Sequence, residues 1–143
     1  MLEQETPFRS EDKFSKLDDL SAEVNLKKRK KIMVIDDDQD FRLNVCEMLV
    51  EEGYLVTTAK DGEVALTNLI HQTEHPDLIL VDLMMPLMNG MQFRRQQESL
   101  DVIRKIPVLF VTGHGIVEGE VCLQKPFDQR EFLGIIRRML GEG

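Results

Sequence analysis

"KKIMVIDDDQDF", residues 30–41, sets four apolar residues directly before a cluster of carboxylates. Ile32, Met33, Val34 and Ile35 run without polar alternation, the pattern of a short strand buried on both faces. Asp36, Asp37, Asp38 and Asp40 follow at once. Like charges repel, so such a strand end calls for a positive group beside it. The strand pattern then recurs along the chain. "YLVTTA" (54–59), "HPDLILVD" (75–82), "IPVLFVT" (106–112) and the weaker "EVCLQ" (120–124) all read as strands. Helical spacing fills the gaps. Phe41, Val45, Met48 and Leu49 share one face of a helix that Gly53 ends. "DGEVALTNLIHQ" (61–72), "NGMQFRRQQESL" (89–100) and "DQREFLGIIRRML" (128–140) give three more, the last with Asp128 and Glu131 spaced as a capping box. Alternating strand and helix with near-continuous apolar strands predicts an α/β protein with a doubly wound parallel sheet.

The 143 residues suit one domain. With 42% hydrophobic and 31% charged residues, the composition permits a globular core. A net charge of −8 argues against a nucleic-acid partner. No apolar run is long enough to cross a bilayer and no signal-peptide core opens the chain, so no membrane role and a cytoplasmic location are expected. Cys46 and Cys122 lack metal-ligand spacing and are expected to be reduced thiols. Residues 1–30 read as a charged N-terminal tail, and residues 31–143 as the folded domain. Within the tail, Phe14, Leu17, Leu20 and Val24 fall at roughly helical spacing after a capping Ser10. This is either a frayed amphipathic helix or one that docks on the domain or on a second copy. "KKRKK", residues 27–31, reads as a solubilising junction.

In open parallel sheets, ligands sit at the carboxyl ends of the strands. There the sequence places Asp36 and Asp37 after the first strand and Asp82 after the third. Thr112 ends the fourth strand and Lys125 the fifth. Clustered hard oxygen donors suit Mg²⁺. A carboxylate beside the ion can attack a phosphoryl group, while an ammonium and a hydroxyl stabilise the charge on its oxygens.

From about Lys31 to Leu140 the chain resembles a bacterial response-regulator receiver domain. The residues that carry the resemblance are Asp36-Asp37, Asp82 within "LILVDLMMPLMNG", Thr112 within "PVLFVTG", and "KPF" at 125–127. The resemblance implies a flavodoxin-like five-stranded sheet of order 2-1-3-4-5. It implies that Asp82 accepts phosphate from a sensor histidine kinase or a histidine phosphotransfer protein. Asp37 would bind Mg²⁺ directly, Asp36 through water, and the Met84 carbonyl would complete the protein ligands. Thr112 and Lys125 would hold the phosphoryl group, and the Lys125–Pro126 bond would be cis. The function implied is a stand-alone phosphorelay response regulator, a monomer or weak homodimer, that signals by binding a partner protein and is not an enzyme.

Two features depart from that pattern. Residues 113–119, "GHGIVEG", number seven and are rich in glycine. Seven extended residues reach about 23–25 Å, enough to return along a strand but not to hold a helix. The fourth helix of a receiver is therefore expected to be missing. Cys122 also stands where most receivers carry a switching Tyr or Phe. Both features are similar to a receiver subgroup with a Phe-Ala-Thr-Gly-Tyr motif, matched here by "LFVTGHG", associated with atypical histidine kinases and stress signalling. His114, near the mouth of the site, reads either as a surface loop residue or as one that steers water toward a phosphorylated Asp82.

Three rivals remain at this level. A haloacid-dehalogenase-type phosphatase also uses an aspartate nucleophile, but Asp40 stands where it needs Thr or Val, and no later acidic pair is evident. An EF-hand spacing links Asp36, Asp38, Asp40 and Glu47, but Phe41 occupies its glycine position. A receiver-like interaction module that is never phosphorylated shares the fold.

Overall fold

The apolar runs form one parallel sheet in the computed structural model, which describes residues 29–113 and 115–142. Its strands are β1 (Lys31–Ile35), β2 (Leu55–Ala59), β3 (Leu78–Val81), β4 (Val108–Thr112) and β5 (Val121–Gln124), in the order β2-β1-β3-β4-β5. The helices are α1 (Gln39–Glu51), α2 (Gly62–His71), α3 (Gly90–Glu98) and α4 (Gln129–Met139). The tail with Phe14, Leu17, Leu20 and Val24 lies outside the described residues, as does His114.

Strand periodicity divides the core into two layers. Ile32, Val34, Leu78, Leu80, Leu109 and Val111 face α1 and α4, packing on Val45, Leu49, Phe132 and Ile136. Met33, Ile35, Ile79, Val81 and Phe110 face the other way, against Ala65 and Leu69 of α2 and Phe93 of α3. β3 and β4 are buried along their whole length, which is why their sequences show no alternation.

Each helix starts on an acidic or amide cap. Asp38, Asp61, Asn89 and Asp128 accept hydrogen bonds from backbone amides three residues on. Among the described residues, both arms of the capping box close only at α3, where the Asn89 amide donates to Gln92 Oε1 at 2.9 Å. Gly53, at φ 95°, ends α1 in the left-handed region.

Between β4 and β5 the described residues form a turn at 118–119 and no helix. The Val117 amide donates to Cys122 Sγ at 3.2 Å, and Arg94 of α3 pairs with Glu120 at 3.5 Å. Cys122 thus anchors the short crossover to the strand that follows it.

Candidate functional site

Parallel register sets the site. β1 and β3 are adjacent, with Ile35 opposite Val81, so the next residues, Asp36 and Asp82, leave the sheet side by side. The Asp82 amide donates to the Ile35 carbonyl at 3.1 Å and the Asp36 amide to the Ala59 carbonyl at 3.2 Å, which carries the ladder to the rim. Both carboxylates are buried. Asp37 is exposed. One carboxylate oxygen from each of Asp36, Asp37 and Asp82 lies within 4.8 Å of the others.

The positive group that the opening stretch calls for is Lys125. Its Nζ donates to Asp36 Oδ2 at 2.8 Å and lies 3.7 Å from Asp82 Oδ2. β5 brings it there. Thr112 and Gln124 are paired across β4 and β5, and the Lys125 amide donates to the Thr112 carbonyl at 2.7 Å. The Lys125–Pro126 bond is cis. Thr112 is fully buried at the tip of β4.

Asp36 is held from several sides. Its Oδ1 accepts the Asp38 amide at 2.9 Å, and its carbonyl accepts Arg42 Nη1 at 2.6 Å. Asp82 is less satisfied, with Oδ1 accepting the Met84 amide at 3.2 Å. Burial pushes the Asp82 carboxyl above its usual range, and the charges of Asp36 and Asp37 add to this. The Met84 amide and the Lys125 ammonium oppose that shift without cancelling it. Three carboxylates thus face one ammonium, a charge excess and a hard-oxygen donor set that both fit a divalent cation.

A family model described as the response regulator receiver domain matches residues 32–137. The chain belongs to this family. The receiver domain is 34% identical over 119 residues to the probable transcriptional regulator ycf29 of Pyropia yezoensis, covering 77% of this chain and 53% of that protein. The chain spans about half the length of the curated relatives it matches. The chemotaxis protein CheY4 of Vibrio cholerae, crystallised at low pH, superposes with a TM-score of 0.71 and 28% identity, over 78% of this chain and 98% of that one. The receiver domain of the sensor histidine kinase PA1611 from Pseudomonas aeruginosa PAO1 superposes with a TM-score of 0.72 and 25% identity, over 79% of this chain and 98% of that one. That structure holds a magnesium ion coordinated in its active-site cleft.

The residues singled out from the sequence, Asp36, Asp37, Asp82, Met84, Thr112 and Lys125, all fall on the strand tips and loops of this one rim. Sequence reasoning passed over three others. Arg42 braces the Asp36 carbonyl. Gly90 is required for close approach, because a Cβ there would stand 2.6 Å from the Asp82 carbonyl oxygen. The "NG" of the receiver loop is the signal for it. Phe41, read only as part of a helix face, lies against Lys125. Among the described residues, no helix is long and apolar enough to cross a membrane.

Proposed function

We propose that Asp82 accepts a phosphoryl group from a phosphohistidine on a sensor histidine kinase or phosphotransfer protein, and that the phosphorylated receiver changes its binding to a partner protein. An Asp82 carboxylate oxygen forms the new P–O bond, the P–N bond to the imidazole breaks, and its electron pair leaves with the imidazole. The observation that carries this reading is the Lys125 ammonium held between Asp36 and Asp82 at 2.8 and 3.7 Å. There it can follow negative charge from a carboxylate to a phosphoryl oxygen. Thr112, buried at the neighbouring strand tip, would supply a hydroxyl to the same oxygens.

Asp36, Asp37, Asp82 and the Met84 carbonyl would hold Mg²⁺. Once bound, the ion supplies positive charge against the phosphoryl oxygens. The chain modifies its own carboxylate and keeps the phosphoryl group while the donor's leaving group departs, so its role is that of a phosphoacceptor and not of a turnover enzyme. It acts in the cytoplasm, where such kinases present their phosphohistidine.

The test is incubation with acetyl phosphate and Mg²⁺, read by intact mass. We expect a gain of one phosphate that survives acid and is lost in base. The same gain in Asp82→Ala, or none in the wild type, overturns the assignment.

A further inference from the structure

Phe41 takes part in none of the steps above. Its ring centroid lies 3.8 Å from Lys125 Nζ. The ring is itself braced. It meets Phe127 edge to face, with centroids 6.2 Å apart and planes at 88°. Phe127 stacks on Phe132 at 5.0 Å, and Phe132 is fully buried in the core. Three aromatic rings thus run from the interior of α4 to the underside of the ammonium.

Lys125 Nζ therefore has three neighbours: the Phe41 ring at 3.8 Å, Asp36 at 2.8 Å and Asp82 at 3.7 Å. The two carboxylates hold it directionally. The attraction of a cation to a ring face extends to about 6 Å from the centroid, a looser constraint than a hydrogen bond. An ammonium seated on the ring can turn from Asp36 toward a charge growing on Asp82 without losing its third contact. Packing alone does not explain an aromatic side chain here. Phe41 is only partly buried, and beside it opens a cleft of about 490 Å³ that it lines with Met48, Lys125, Pro126 and Phe127.

We propose that Phe41 is a positioning residue for phosphoryl transfer: its ring is the seat from which the Lys125 ammonium reaches either Asp36 or the phosphoryl group on Asp82. The inference rests on the reading of Asp82 as phosphoacceptor. Its test is the initial rate of acetyl phosphate labelling with Mg²⁺, followed by mass spectrometry, in a double-mutant cycle. Phe41→Leu slows labelling roughly fivefold, the scale of a partly desolvated cation–ring contact. Phe41→Tyr, which keeps the ring face, recovers most of the rate. In a Lys125→Ala background, Phe41→Leu has no further effect. An equal loss in both backgrounds, or a Tyr variant as slow as the Leu variant, overturns the proposal. Should Phe41→Leu fail to fold by circular dichroism, Phe41→Met takes its place in the cycle. A wild type that takes no label sinks the phosphoacceptor reading itself. A labelled wild type with an equally fast Leu variant sinks only the ring seat.

Discussion

Asp82 shows how one side chain sets the stability of its surroundings. Its carboxyl is raised above 3.8, first by burial and then by Asp36 and Asp37. The folded state therefore binds its proton more tightly than the unfolded chain does. Between 3.8 and the raised value the unfolded chain ionises first, so stability falls as pH rises through that window and stays reduced above it. Asp82→Asn removes the charge and keeps the shape. In the absence of Mg²⁺ we expect it to melt higher than wild type at neutral pH, by about 2–4 °C if the relief is near 1 kcal/mol. The gain should shrink as pH approaches 4. Differential scanning calorimetry at two pH values checks this. A variant that melts lower than wild type at neutral pH would show that the lost attraction to Lys125 outweighs the repulsion.

Among the elements, α3 is placed by its first residue. Gly90 donates its amide to the Leu83 carbonyl at 2.9 Å, and its Cα sits where a Cβ would meet the Asp82 oxygen at 2.6 Å and Leu83 Cα at 2.9 Å. Those neighbours are backbone and cannot swing aside. Gly90→Ala must therefore push α3 away from the β3 tip or bend the loop that carries Met84. We expect a cost of about 1–3 kcal/mol in urea unfolding, the range for a forced backbone shift. Labelling of Asp82 should slow as well. An alanine variant of unchanged stability would mean that the helix start is free to move.

At this same scale lie both the strength and the limit of reading the sequence. Buried strands announce themselves as unbroken apolar runs, so β1 and β4 were legible to within a residue or two, while β3 starts at Leu78, three residues after the 75–82 reading begins. β2 begins after Tyr54 because that amide is already bonded to Leu49 at the end of α1. The reciprocal cap of α3 was missed because its partner, Gln92, looks like any surface glutamine. Gln97 was also missed, although it is fully buried and donates to the Ile103 and Ile106 carbonyls at 2.9 Å each. A glutamine on a polar helix gives no sign that two carbonyls of a later turn need it. Phe41 fits its helix face, so periodicity accounts for an apolar residue there and gives no cue to the ring's second contact. Its place under Lys125 depends on the chain path at 125–127, some eighty-five residues away, which no local pattern reports.

Across the whole molecule, side-chain contacts tie the end of α1 to the end of α4, Arg137 Nη2 donating to Glu52 Oε1 and Tyr54 reaching Glu142. The Tyr54 hydroxyl, at the junction of α1 and β2, donates to Glu142 Oε1 at 2.7 Å, just beyond α4. Tyr54 is buried in the same layer as Leu49, Phe132 and Ile136. Burial pushes its phenol up from 10 to about 12, and the Glu142 hydrogen bond and charge and the Glu52 charge add to this, against Arg137. It is the only tyrosine, and the chain has no tryptophan, so near-ultraviolet absorbance reports this one group. We expect the native protein to titrate near 12 and the urea-unfolded chain near 10. Because the folded state holds the proton longer, stability should fall as pH rises from about 10 to about 12. Glu142→Gln keeps an acceptor for the hydroxyl and removes the charge, so its phenol should titrate between the two values. A native phenol that ionises together with the unfolded one would mean that Tyr54 is neither buried nor held by Glu142 in solution, and that this corner of the layer is open.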